Sequence, residues 1–547
     1  MLPKISTAVA VFGLLGFQAQ AQLNVQSGAT FFMQPGAQVT VQGDVQNAGT
    51  LNNDGSLRVQ GNYTNTGTYT GATTGTLEMF GTGNANLTPG TATYPNLVIN
   101  KATAGDIVTL TANTTVSNGF TLTQGILTTN PTVTPAVALV AGATTPFTFA
   151  AGKEVIGSVR RTSWTAGAAR VFNQPNMLVT TNGGTAPSDL TVTMIPNGDP
   201  TQAEREVKRK FNFATTGGTG FTADVRFPYA DAELNASNTE AGLVPWRLVA
   251  AEWNAKATAV TKNGTTNWVN TTGIPAADLA QEWKLADANY TVNATAYLRG
   301  AWINGTGLLR NVLNTSGLLP LSQPYTGSPY TYLGTESVGS IPNANVVDWV
   351  LIELRKPVSG LPEDANSSSI IGRKAAFLLT NGTITELDGV TPVLVPITKQ
   401  GAANYIVVRH RNHLAVMSTA KASNAVGTFA NDFSVQSNIY ANPSANSAPA
   451  TLLGATGIGS TKYGLWVGDS NVSGDLTGAD VTQINVAVFQ GQTGIYSTRD
   501  SNMDGNATGA DASLANTSLA ATAQTSTLKP APATATSVQT VKVTHVP

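Results

Sequence analysis

The chain has 547 residues, room for three or four domains, with 41% apolar residues, 11% charged residues and a net charge of −1. Without a basic field, nucleic acid and cationic adhesion to membranes are excluded as partner classes. Cysteine is absent, which removes disulfides, thiol catalysis, a lipidated cysteine and sulfur-ligated metals together, so packing, backbone ladders and bound ions must supply stability.

The first 22 residues, MLPKISTAVAVFGLLGFQAQAQ, carry Lys4, an apolar run over 8–17 and Ala19-Gln20-Ala21. This pattern predicts a signal peptide over residues 1–21, cleaved before Gln22. The run is too short to cross a bilayer, and no later segment approaches transmembrane length. The expected location is therefore secreted, extracellular or at the cell surface.

Residues 22–150 contain an internal repeat. VTVQGDVQNAGTL (39–51) aligns with LRVQGNYTNTGTY (57–69) at a spacing of 18, and Leu77, Met79 and Gly81 follow Leu57, Val59 and Gly61 by 20. Short alternating strands with Gly and Asn corners at this period predict a parallel β-solenoid, one coil per repeat. A meandering β-sandwich is the competing reading of the same period.

From residue 151 to 292, strand-like runs such as EVIGSVRRTSW and FTADVRFPY are separated by Gly, Pro and Asn turns, predicting a β-sandwich module. The dense charge cluster at 199–211 reads as a solvated turn leading into a strand rather than a ligand patch. Trp246, Trp253, Trp268 and Trp283 read as core before sugar-stacking platforms. Residues 293–417 predict a second β-sandwich, with VVDWVLIELR (346–355) as a strand and TNGT (380–383) as a hairpin turn. The Ser/Ala/Asn/Gly-rich stretch 418–460 reads as a linker or loosely packed segment, and 521–547 as a low-complexity tail.

Between them, residues 461–520 hold two nearly identical acidic dodecamers, DSNVSGDLTGAD (469–480) and DSNMDGNATGAD (500–511). In a twelve-residue calcium loop, oxygens from positions 1, 3, 5, 7, 9 and 12 surround the ion and Gly at 6 permits the sharp turn. The first loop offers Asp469, Asn471, Ser473, the Asp475 carbonyl, Thr477 and Asp480, with Gly474 at the turn. The second offers Asp500, Asn502, Asp504, the Asn506 carbonyl, Thr508 and Asp511, with Gly505 at the turn. The competing reading is a pair of polar turns without metal. Two copies in register favour two calcium ions, and Asp504 in place of Ser473 predicts that the second site is tighter. VTQINVAVFQ after the first loop has helical apolar spacing, so the unit is loop then helix.

A loop–helix pair repeated at about thirty residues resembles the type I dockerin repeat. That resemblance implies a small α-helical module that folds on two calcium ions and docks extracellular proteins onto cohesins. Loop positions 10 and 11 are Gly478-Ala479 and Gly509-Ala510, where dockerins often carry Ser-Thr, so a cohesin-like partner does not follow from it. Residues 317–418 resemble a β-module of large secreted Bacteroidetes proteins, and the coil region is similar to their adhesin- or hemagglutinin-like segments.

For catalysis the residues offer little. His410 and His413 sit three apart at a strand end, where the two side chains are expected to face opposite sides. No nucleophile elbow accompanies them, and Asp231/Glu233, Glu240/Glu252 and Glu363/Asp364 are carboxylate pairs of unknown separation. The expectation is a mainly β protein comprising solenoid, sandwich modules and a dockerin-like calcium module. Its expected role is non-catalytic and adhesin-like or structural, and the alternative is a carbohydrate-active protein. A polysaccharide or another surface protein is the partner class.

Overall fold

The computed structural model describes residues 21–129, 136–197, 205–235, 238–250, 252–256, 259–399, 404–424, 427–441, 448–454 and 457–521. The predicted signal peptide, apart from Ala21, His545 and nearly all of the tail lie outside these residues. The chain is mainly β, 45% strand and 11% helix, with a parallel β-solenoid of about seven turns and short helices near the carboxyl end. Two compact units form, one from residues 1–199, 209–229 and 261–283, the other from 200–208, 230–260 and 284–547.

In the first unit the sequence repeat becomes strand register. Strand Gln38–Val41 pairs in parallel with Ser56–Val59, setting Val39 against Leu57 and Val41 against Val59. Ser56–Val59 then pairs with Thr76–Gly81, placing Leu77 and Met79 on Leu57 and Val59. Alternation puts every second side chain inside, so Leu57, Val59, Leu77, Met79, Leu97 and Ile99 form a fully buried column. Polar residues stack as well, with Asn47 Nδ2 donating to Asn65 Oδ1 at 2.7 Å and Asn65 Nδ2 to the Pro89 carbonyl at 3.1 Å. The repeated glycine has a steric cause. A Cβ on Gly67 would lie 2.1 Å from the Gly49 carbonyl of the preceding coil, so only glycine lets the corners stack.

The parallel stack ends at Val155–Thr162, which pairs in parallel with Ala138–Gly142 but antiparallel with Asp189–Pro196. Arg161 of that strand is buried. It donates from Nη1 to the Gly142 and Thr145 carbonyls and from Nε to the Val171 carbonyl, and its guanidinium lies 3.6 Å from the Phe147 ring centre. A five-stranded sheet including Leu178–Asn182 and Thr222–Pro228 completes the unit. Its Phe227 ring meets Phe211 at 5.1 Å and Trp283 at 5.6 Å.

In the second unit an antiparallel sheet runs Ile384–Thr385, Ile370–Leu379, Val346–Arg355, Tyr405–Arg409, Val416–Met417. Val346–Arg355 is central and buried at all ten positions, its charged residues included. The hairpin closes at 380–383 with Gly382 at φ +84°. Strand Thr428–Asp432 joins a second sheet beside Asn289–Thr295, and Phe429, Phe433 and Ile439 enter the main core. Trp246 is fully buried, as is Trp283 of the first unit. Two of the carboxylates weighed for catalysis have structural partners. Glu233 accepts from the Ala230 amide at 2.9 Å, and Glu252 pairs with Lys356 and Lys399. Within the 199–211 cluster, Arg205 pairs with Asp287 and Arg209 with Glu154.

Candidate metal centre

Both acidic dodecamers adopt the same backbone path. Position 4 is left-handed in each, Val472 at φ +58° and Met503 at +62°, and so is the glycine at position 6, Gly474 at +81° and Gly505 at +87°. This winding turns consecutive N–H groups inward. Asp469 accepts from the amides of Ser473 and Gly474 at 2.9 and 3.0 Å, and Asp500 from those of Asp504 and Gly505 at 3.1 and 2.9 Å. The carboxylate at position 12 closes each loop from the other side. Asp480 accepts from Asn471 N and Thr477 N at 3.2 and 2.9 Å, and Asp511 from Asn502 N and Thr508 N at 2.9 and 2.8 Å.

Position 9 also starts a helix. Thr477 caps Gly478–Phe489 and Thr508 caps Gly509–Ala520, each with the Asp three residues on completing a capping box. The helices pack through Ile484 against Ala512 and Ala515. The second helix, thin in large apolar residues, therefore works by close approach of small ones. Replacing Thr508 by alanine removes the cap and is expected to cost about 1 kcal/mol in chelator, measured by urea denaturation. A loss below a few tenths would mean that the cap contributes nothing.

Of the twelve residues read as ligands, the structure brings Asp469 with Asp480 and Asp500 with Asp511 into buried positions, each 4% exposed or less. Asn471 Oδ1 and Asn502 Oδ1 turn in with them, each accepting from the amide at position 5 at 2.8 and 2.9 Å. Thr477 and Thr508 spend their hydroxyl protons on the position-12 carboxylates. Among the described residues no three His, Cys, Asp or Glu side chains converge as a ready metal cluster. The donor set is instead mixed oxygen: carboxylate, amide, hydroxyl and backbone carbonyl. That set suits a hard cation.

Electrostatics point the same way. Burial, and then the neighbouring Asp480, push the Asp469 carboxyl up to about 7. Burial pushes Asp500 up to about 6 even though Arg411 opposes it. Asp475 Oδ1 is buried with no hydrogen-bond partner. The two raised carboxylates are the burden that a divalent ion in the loops would relieve.

The second loop rests on the sheet of the second unit. Asn412 Nδ2 donates to the Asp500 carbonyl at 2.7 Å, Arg411 donates to the Ser497 carbonyl, and Met503 lies in the main core. Arg411 Nε and Tyr496 Oη both donate to Asp348, at 3.0 and 2.7 Å. Beside them, His410 and His413 do not face opposite sides. The strand ends at Arg409, so the chain turns and brings the two Nδ1 atoms to 3.1 Å. The Gly300 amide donates to His413 Nε2, and His410 Nε2 bonds Asp348 at 3.1 Å, so both rings serve as neutral links in one buried chain. Burial holds both below the ordinary histidine range. Sequence reasoning missed Asp348, Arg411, Asn412 and Tyr496. The signal was present as an aspartate inside the apolar run VVDWV and as the RHRNH cluster.

No family model, curated protein or solved structure matches this chain. No helix among the described residues is long and apolar enough to cross a membrane.

Proposed function

We propose that this chain is a non-catalytic, secreted or cell-surface β protein of adhesin-like or structural role, whose C-terminal loops close on two calcium ions. The observation that carries this reading is the doubled loop geometry, with buried carboxylates at positions 1 and 12 and Asp469 pushed up to about 7 by burial and by Asp480. A divalent ion supplies the positive charge that lets both carboxylates ionise inside the fold, so metal binding and local folding are linked. The dockerin-like use of these helices to bind a cohesin is the weaker reading, because positions 10 and 11 are Gly-Ala in both loops.

Calorimetric titration of the intact chain, freed of metal and then given calcium, tests the site. Two ions per chain are expected, the tighter one dependent on Asp504, and no heat with calcium would end the reading. Retention on polysaccharide without released sugar tests the adhesive role, whereas released sugar would make the protein an enzyme.

A further inference from the structure

The turn that follows strand Tyr405–Arg409 carries one residue bonded to both acidic loops. Asn412, fully buried, accepts the Gly468 amide at its carbonyl at 3.1 Å and donates from Nδ2 to the Asp500 carbonyl at 2.7 Å. Gly468 directly precedes position 1 of the first loop, and Asp500 is position 1 of the second. The orientation of the amide is set by its neighbour. His413 Nε2 accepts from the Gly300 amide at 3.1 Å, so the His413 proton sits on Nδ1. That N–H bonds Asn412 Oδ1 at 2.7 Å and turns Nδ2 toward Asp500. Gly300 is itself pressed against the second loop, where a Cβ would collide with the Ser501 carbonyl.

We propose that Asn412 couples the two loops, so that calcium in one raises the affinity of the other about tenfold. The inference rests on the calcium reading of the loops and adds its regulation. An ion held by a position-1 carboxylate fixes the backbone beside it, and that backbone is what Asn412 bonds in each loop. A loop that has closed therefore leaves Asn412 already placed for the other, whose closing then orders fewer groups. By reciprocity the gain is equal in both directions. Each loop keeps its own ligands, so a change confined to one leaves the intrinsic affinity of the other intact and removes only the gain. The helices offer a second route, through Ile484 against Ala512 and Ala515. Replacing Asn412 leaves that route in place, which separates the two.

Calorimetric calcium titration of the intact chain, of Asp511→Asn, of Asn412→Leu and of the two combined tests this. Asp511→Asn disables the second loop, so the affinity of the first loop for its ion should fall about tenfold. In the Asn412→Leu background the same change should leave that affinity unaltered. A residue that merely supported the fold would shift single affinities but not this difference of differences. Should Asn412→Leu not fold, hydrogen exchange decides without touching residue 412. In Asp480→Asn, which disables the first loop, calcium in the second should slow exchange at 410–414 and 466–470 as well as at 500–511. Slowing confined to the second loop and its helix overturns the coupling. Two ions that bind independently in the parent overturn it too, as does a gain that survives Asn412→Leu, which would belong to the helices. A parent that takes no calcium at all is a separate failure, because it overturns the reading of the loops and the coupling with it.

Discussion

Calcium at a hundred times its dissociation constant is expected to stabilise the second unit by about 2.7 kcal/mol per ion, and the gain is expected to grow as pH rises from about 5 to about 8. The sign follows from the loops. Asp469 and Asp500 have folded values near 7 and 6, above the ordinary carboxylate value of 3.8. A raised carboxylate holds its proton in the fold, so its ionisation destabilises the metal-free state. That penalty is absent below about pH 4 and fully present above about pH 7. The ion needs both carboxylates charged, so protons compete with it at the acid end of this window and stop competing at the alkaline end. His410 and His413 act with the opposite sign. Burial lowers their values, so their contribution is present above about pH 6.5 and is lost as pH falls through the lowered values. A single melting curve would mix the two trends, whereas the difference between calcium and chelator at each pH isolates the carboxylates. Coincident melting curves at every pH would mean that these loops hold no ion.

The solenoid was legible because stacking translates sequence period directly into register. The spacings of 18 and 20 are the offsets at which Val39, Leu57 and Leu77 lie on one another. The matched glycines at 49 and 67 mark where one coil's backbone meets the next. The acidic loops were legible for a related reason: position 6 requires a left-handed residue and position 12 doubles as a helix capping group, both of which leave marks within twelve residues. Residues 418–460 carry few large apolar groups, yet Phe429, Phe433 and Ile439 are each nearly fully buried. Wide spacing hides such residues from any periodic pattern.

The chain of polar groups beneath the second loop was hidden more deeply. Asp348 and Tyr496 lie 148 residues apart, and Asp348 and Arg411 lie 63 apart. No local pattern joins residues at such distances. The histidines were misjudged because a strand's alternation was carried past its end at Arg409, where the turn reverses one ring onto the other. The buried Asn431 escaped for a third reason: one asparagine in a polar stretch looks solvated until neighbouring strands bury it. Period and turn chemistry thus expose repeats and closed loops, whereas buried polar clusters appear only when distant strands are placed together.

Replacing Asp348 with alanine is expected to destabilise the second unit by about 3–5 kcal/mol. The carboxylate is fully buried in the central strand and takes four hydrogen bonds, from Trp349 N at 2.7 Å, Tyr496 Oη at 2.7 Å, Arg411 Nε at 3.0 Å and His410 Nε2 at 3.1 Å. Burial alone would raise its pKa, yet Arg411 and His410 outweigh burial and hold it below the usual carboxylate value. Its contribution is therefore present above about pH 4 and lost as pH falls through the lowered folded value. Without it, Arg411 remains buried with its charge unpaired, which is the main source of the loss. Arg411 also donates to the Ser497 carbonyl, and Asn412 holds the Asp500 carbonyl, so the second acidic loop should lose its seat at the same time. Asp348→Ala should accordingly weaken the second calcium site while sparing the first. Asp348→Asn combined with Arg411→Leu removes both charges and should recover a substantial part of the stability, because the cost lies in the orphaned partner. Urea denaturation of the intact chain in saturating calcium reads all three variants. A loss under 1 kcal/mol for Asp348→Ala, or a double variant no better than the single, would show that this charge is not what joins the loop to the sheet.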